Sequence, residues 1–348
     1  MNTAAGPGSD GSRPSTGGEQ VILTLTLNPS LDRTIEVGSL TRGAVIRAGA
    51  AHLDPGGKGV NVSRALAANR VGSCAVIPYG GDEGRRLISL LSATGLDMIT
   101  VPVAGSTRSN ISLTEPDGTV TKINEPGTAL SPAELDTIAD AVLGAAHSAD
   151  WVVASGSLPP EAPADVYAQL CRRFAGAGIN VAVDTSGPAL LAALAAGPAL
   201  VKPNREELAE ATGIPIATLG DAIDAARKLR AMGARAVLAS LGGDGAVLVE
   251  GPTEGLAEGD GEAEEQEQVW FGESFVAEPR STVGAGDAML AGFLAAGARG
   301  EQALAEALAW ATAAVALPGS RMPHPSDINR DLVRLSPPDL NLPLRPEG

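Results

Sequence analysis

The sequence predicts an α/β fold: a doubly wound, mostly parallel sheet flanked by helices, with a small β-sheet lid. Three observations carry this. Short β-rich apolar runs recur along the chain, and Ala/Leu-rich stretches of helical spacing lie between most of them. Hydrophobic residues make up 44% but aromatics only 3%, so the core must be built from Ala, Val, Leu and Ile, which suits packed layers of helix and sheet. Two segments alternate polar and apolar residues and break the buried rhythm.

The apolar runs are 21–27, Cys74–Pro78, Trp151–Ser155, Asn180–Asp184, Ala199–Val201 and Arg235–Ser240. The helical stretches are Val60–Asn69, Ala133–Ala146, Ala164–Ala175 and Ala222–Met232. Buried runs that alternate with helices imply parallel strands joined by right-handed crossovers. The exceptions are 33–54 and 108–125. The second reads as strand, turn and strand, with Glu115-Pro-Asp-Gly118 as the turn. Such inserts make a lid or a dimer surface. One domain is expected over 21–335, with a disordered tail at 1–20, an acidic solvated loop at 253–268 and a loose Pro-rich end from Ser336.

Composition excludes several classes. The net charge of −16 argues against nucleic acid and anionic membrane surfaces. Ten of the acids, and no Lys or Arg, fall between Glu250 and Glu278, so the rest is only mildly acidic and leaves room for an anion site. No run of about 18 apolar residues is present, so no membrane span is expected. The first twenty residues carry no apolar run and do not read as a signal peptide. Cys74 and Cys171 lie far apart in apolar stretches and read as reduced core residues of a cytoplasmic protein.

In an open α/β sheet, ligands sit beyond the carboxyl ends of the strands. Five such ends carry polar residues: Asn28-Pro-Ser-Leu-Asp32, Ser155-Gly-Ser-Leu-Pro-Pro160, Asp184-Thr-Ser-Gly187, Lys202-Pro-Asn-Arg-Glu-Glu207 and Ser240-Leu-Gly-Gly-Asp-Gly245. Singly each is a loop or a helix cap. Together they bring Asp, Ser, Lys, Asn and Glu to one edge.

The sharpest motif is Thr282-Val-Gly-Ala-Gly-Asp287, followed by an apolar helix. Small residues there leave N–H groups to face an anion. Asp287 either caps that helix or accepts a proton from an attacking hydroxyl. A second glycine turn, Gly56-Gly-Lys-Gly-Val-Asn61, also opens a helix. It is no Walker A loop, because Gly59 stands where Ser or Thr is required, and no G-x-G-x-x-G follows the first strand. Arg108 and Lys122 lie on the arms of the hairpin, where cations are either solvated or clamp a phosphate.

Taken together and in order, these motifs resemble the PfkB carbohydrate kinases, the ribokinase-like family, over about residues 21 to 320. Gly56-Gly-Lys-Gly59 and Thr121-Lys-Ile-Asn-Glu-Pro-Gly127 are most similar to the branch of 1-phosphofructokinases and tagatose-6-phosphate kinases. The resemblance implies ATP and Mg2+ as cofactors and a sugar phosphate as substrate, most of all fructose 1-phosphate, with fructose 6-phosphate and tagatose 6-phosphate as alternatives. It makes Asp287 the base and Gly284, Ala285 and Gly286 the anion hole. It gives the sugar to Asp32, Gly56, Gly57, Lys58 and Asn61, with Ser155 or Ser157 near it. It gives the sugar's phosphate to Arg108, with Lys122 assisting. It gives the nucleotide to Lys202, Asn204, Ser240, Gly242, Gly245 and Thr282. It gives the metal to Glu207, with Asp184 joining through water. It implies a homodimer formed through the lid. A sugar-phosphate or nucleotide sensor without catalysis is the alternative of a different class, and an intact Asp287 argues against it.

Overall fold

The computed structural model describes residues 21–147, 149–251 and 267–346. The expected tail at 1–20 and most of the acidic loop at 253–268 lie outside the described residues.

The strands are β1 (Val21–Thr26), β2 (Ser30–Glu36), β3 (Ala51–Gly56), β4 (Gly72–Tyr79), β5 (Met98–Pro102), β6 (Arg108–Thr114), β7 (Val120–Asn124), β8 (Trp151–Ser155), β9 (Asn180–Asp184), β10 (Leu200–Val201), β11 (Ala236–Ser240), β12 (Ala246–Glu250), β13 (Gln268–Ser274) and β14 (Val333–Ser336). The helices are α1 (Lys58–Ala68), α2 (Gly81–Ser92), α3 (Pro132–Ala146), α4 (Val166–Ala175), α5 (Gly187–Leu194), α6 (Arg205–Thr212), α7 (Leu219–Ala231), α8 (Ala285–Ala295) and α9 (Gly300–Val315).

Ten strands form one sheet in the order β14-β13-β12-β11-β10-β9-β8-β1-β4-β5. From β5 to β11 the pairing is parallel, and β12, β13 and β14 run antiparallel. Strand alternation feeds a core on each face. Leu23 and Leu25 of β1 and Val237 and Ala239 of β11 pack with α3 to α7, while Ile22 and Leu238 pack with α1, α8 and α9. Cys171 is buried in the first core, where desolvation pushes its thiol up to about 11. Both cysteines are unpaired. Among the described residues no helix is long and apolar enough to cross a membrane.

The second sheet, in the order β3-β2-β6-β7, is built from the two segments expected to form the lid. Its registers align Asp54, Asp32, Asn110 and Asn124 across the strands, and Thr34, Ser112 and Lys122 one pleat further on. One face is therefore polar. The other carries Leu31, Ile35, Leu53, Ile111, Leu113 and Ile123.

The chain end corrects an expectation. Ser336 onward was read as loose because it is Pro-rich. Instead it lies against α7: the Leu344 N–H donates to the Ala217 carbonyl at 2.9 Å, and Leu344 is buried. Leu342 packs on the larger core. Apolar anchors at alternate positions hold an extended segment that the prolines only stiffen.

Candidate active site

Local sequence decides which helix ends are closed. At α6 and α7, reciprocal capping boxes form between Asn204 and Glu207 and between Thr218 and Asp221. At α1 and α8 the N-cap is glycine, which has no capping side chain, and in α1 the Val60 N–H is met instead by Thr26 Oγ1 at 2.9 Å. Both of those ends face the carboxyl edge of the sheet. Gly284 holds a left-handed φ of 79°, which favours glycine, and a Cβ there would also strike Met322 at 2.7 Å.

Asp287 lies in the first turn of α8 and is only 7% exposed. The Asn61 amide Nδ2 donates to its Oδ2 at 2.8 Å. Arg64, one turn along α1, donates to the Asn61 Oδ1 at 3.1 Å and to the Pro55 carbonyl at 3.2 Å. A donor-only guanidinium on one side and a carboxylate on the other fix which way that amide faces. Burial first, then the charge of Asp184, pushes the Asp287 carboxyl up to about 6, although Asn61, Lys202 and Lys58 oppose the shift.

Two lysines converge beside it. Lys58 Nζ lies 2.7 Å from Asp184 Oδ1 and 3.5 Å from Glu207 Oε1. Lys202 Nζ lies 3.2 Å from Asp184 Oδ2. A Cβ at Gly286 would come within 3.2 Å of Lys202 Nζ, so that ammonium sits against the loop that opens α8. Asp184 is fully buried, which favours its neutral form, yet the two lysines outweigh burial and hold it below the ordinary carboxylate range. Burial likewise pulls on Lys58, and the charges of Asp184 and Glu207 outweigh it and hold the amine above its ordinary value.

The second sheet contributes a further group of polar residues. Asp32 Oδ1 accepts from Ser30 Oγ at 2.7 Å and from Asn110 Nδ2 at 2.9 Å. A Cβ at Gly56 would fall 2.3 Å from Asp32 Oδ2, so glycine lets that carboxylate approach. Gly57, at φ 122°, is pressed against Thr26. Arg108 Nη1 donates to the Glu125 carbonyl at 3.1 Å, but its Nε is buried with no hydrogen-bond partner. Burial, against the pull of Asp32, lowers the guanidinium below its usual range. Lys122 is exposed on the polar face of the lid.

The remaining candidates divide. Ser155 is fully buried, and its Oγ faces the start of α1 without a partner. Ser157 is exposed and accepts from Asn28 Nδ2 at 3.3 Å. Ser240 and Asn204 form an isolated parallel bridge, which joins the ends of β10 and β11. Gly242 and Gly245 hold positive φ, and Gly245 lies against the backbone of Gly272. Thr282 is exposed and lends its carbonyl to the Ala285 N–H at 3.3 Å. The side chains of Asn204 and Glu207 are engaged in their capping box. Sequence reasoning gave no role to Arg64 or Asn110. Their signals were the three-residue spacing from Asn61 on one helix and the two-residue spacing from Arg108 on one strand.

Comparison with known proteins shows the family. The pfkB family of carbohydrate kinases matches residues 25–326. A 1-phosphofructokinase of Rhodobacter capsulatus is 39% identical over 299 residues, covering 84% of this chain and 88% of the relative. An ATP-dependent 6-phosphofructokinase isozyme 2 of Mycobacterium tuberculosis is 38% identical over 238 residues, covering 66% and 68%. The crystal structure of phosphofructokinase-2 from Escherichia coli in complex with substrates and products superposes with a TM-score of 0.78 at 33% identity, covering 88% of this chain and 96% of that one. Fold and site define a phosphotransferase whose acceptor is an alcohol group. The chain belongs to the pfkB family of carbohydrate kinases.

Proposed function

We propose that this kinase transfers the terminal phosphoryl group of ATP to the free primary hydroxyl of fructose 1-phosphate, giving fructose 1,6-bisphosphate. The observation that carries the reading is the pairing of a buried carboxylate, Asp287, with the uncapped first turn of α8 and the Lys202 ammonium. A base and an anion site thereby share one helix end.

The steps follow from the residues. Asn61 holds Asp287 Oδ2, and Oδ1 has no hydrogen-bond partner among the described residues, so Oδ1 is the oxygen that takes the hydroxyl proton. N–H groups of Gly284, Ala285 and Gly286, with Lys202, offset charge on the phosphoryl oxygens. Asp32, held by Ser30 and Asn110, accepts from sugar hydroxyls beside Gly56, Gly57 and Lys58. Arg108 meets the phosphate already on the sugar, and its orphaned Nε supports that role. The loops at Lys202–Glu207 and Ser240–Gly245 face the nucleotide. The lid excludes water from the reaction.

Among the described residues no group of three or more His, Cys, Asp or Glu converges on a metal position. Magnesium takes one or two carboxylates together with substrate phosphates and water, and Asp184 with Glu207 offers that donor set. Those residues would hold it, and it would supply further charge neutralisation at the phosphates. The apolar face of the lid leaves Ile123 at 54% exposure, which supports a homodimer formed there.

The identity of the sugar rests on Arg108 and on relatives that are named 1-phosphofructokinase. A second reading, fructose 6-phosphate, is favoured by the relative from Mycobacterium tuberculosis and by the Escherichia coli phosphofructokinase-2 solved with fructose-6-phosphate. A coupled ADP-release assay with magnesium and ATP decides between them. We expect kcat/KM for fructose 1-phosphate to exceed that for fructose 6-phosphate and tagatose 6-phosphate by about tenfold or more. A lead for either 6-phosphate would overturn the substrate but not the chemistry.

A further inference from the structure

The end of the chain crosses the nucleotide side of the molecule. Residues 340–344 run antiparallel to the turn that starts α7. The Gly220 N–H donates to the Leu340 carbonyl, the Leu219 N–H to Leu342 and the Leu344 N–H to Ala217, each at 2.9 Å. Thr218 and Pro343 form a bridge within this pairing. A Cβ at Gly220 would lie 2.7 Å from the Leu340 carbonyl oxygen, so glycine is what admits the crossing strand. Leu344 is buried at its end.

The next residue, Arg345, then joins two separate loops. Its N–H donates to Asp244 Oδ2 at 2.8 Å, and its Nε lies 3.3 Å from Asp244 Oδ1. Asp244 belongs to the turn between β11 and β12. Its neighbour Gly243 is close enough that a Cβ would lie 3.6 Å from Arg345 Nη1. From the other side, Arg205 Nη1 donates to the Arg345 carbonyl at 2.6 Å. Arg205 follows Asn204 at the start of α6, and its Nε donates to the Ile216 carbonyl at 3.1 Å. One residue of the chain end thus ties the loop at Lys202–Glu207 to the loop at Ser240–Gly245.

We infer that residues 337–346 are a strap that fixes the spacing of the two nucleotide-facing loops, and that Arg345 is its positioning residue. The inference rests on the proposed function, which gives those two loops to ATP. Among the described residues, the hydrogen bonds and ion pair of 340–345 given above go to Arg205, the start of α7 and Asp244, and none goes to the lid or to Asp287. Loss of the strap should therefore weaken ATP and leave the sugar and the chemical step alone.

The test uses the full chain. Arg345→Ala, Asp244→Ala and the double variant are compared with wild type by steady-state kinetics, by calorimetric titration with ATP and by thermal unfolding. We expect Asp244→Ala, which removes the acceptor of both the Arg345 N–H and its Nε, to raise KM for ATP and the ATP dissociation constant about threefold to tenfold. The sugar KM, kcat and thermal midpoint should stay close to wild type. Arg345→Ala keeps the backbone N–H and carbonyl ties and loses only an exposed Nε contact, so it should weaken ATP about twofold at most, and the double variant no more than Asp244→Ala. Asp244→Asn, which keeps an oxygen to accept the Arg345 N–H, should recover most of the loss. Unchanged ATP affinity in Asp244→Ala overturns the strap. So does a rise in both substrates' KM that tracks a lower unfolding temperature, since that marks general loosening. A wild type that binds no ATP in the titration overturns the nucleotide reading and the strap with it.

Discussion

The group around Asp287 and the second sheet around Arg108 are built on opposite plans. At the centre every buried charge has a counter-charge or a hydrogen bond already: Asp184 between two lysines, Asp287 on Asn61, Asn61 on Arg64. On the lid, Arg108 keeps a buried donor with no partner, and Lys122 stands in solvent. A preorganised centre reacts without rearranging. Under the proposed function, an anion would supply the hydrogen bond that Arg108 Nε lacks, and that binding energy would favour closing the lid. The comparison predicts that changes at the centre act on turnover and changes on the lid act on sugar affinity.

The largest effect tests the centre. Asp287→Asn keeps the shape and can still accept from Asn61, but it cannot take a proton. We expect kcat to fall by roughly 10²–10⁴ while ATP binds nearly as before. In the wild type, kcat should drop as pH falls through about 6, where the carboxyl titrates. Retention of most turnover by the variant would remove Asp287 from its role as base and blur the contrast between the two regions.

The next effect tests the lid. Arg108→Gln removes the charge and the orphaned Nε. We expect KM for the sugar phosphate to rise about 10- to 100-fold with kcat within a few-fold, since one charge-assisted contact is lost. Unphosphorylated fructose, which offers no anion, should show no such penalty. An equal loss for both sugars would mean that Arg108 braces the Glu125 turn rather than meeting a phosphate.

The same contrast explains what was legible in the sequence. The fold class and most strands could be read, because apolar runs and helical spacing are local. The loop at 282–287 could be read because the small residues and the acid stand side by side. The Lys58–Asp184 pair could not be read as a pair, since 126 residues separate its members and only the sheet order joins them. Asn204 and Glu207 fit two readings at once. Asn-x-x-Glu before a helix forms a capping box here, and the same spacing is the one that the resemblance assigns to the metal, so local sequence alone does not separate the two. The chain end was misread for a different reason. Leu342 and Leu344 are the anchors, but the run is short and interrupted by Pro343, and the turn at Ala217–Gly220 that it pairs with is remote in sequence.

The smallest effect concerns stability and separates the regions by sign. The folded-state pKa of Asp287 lies above the value of about 3.9 of an unfolded aspartate, because burial and Asp184 disfavour the charge. Stability linked to its neutral form is fully present below about pH 4 and is lost as pH rises through about 6. Above that pH the ionised carboxylate is a cost retained for chemistry. Asp287→Asn removes it, so the inactive variant should be more stable than wild type at pH 8, by about 1–2 kcal/mol, and the gain should shrink towards pH 4. Thermal unfolding of both proteins at the two pH values measures this. Arg108→Gln should show no comparable pH-dependent gain, because the guanidinium stays charged throughout that range. An Asn variant no more stable than wild type at pH 8 would mean that Asn61, Lys58 and Lys202 already compensate the buried charge, and that the centre stores no strain for the lid to release.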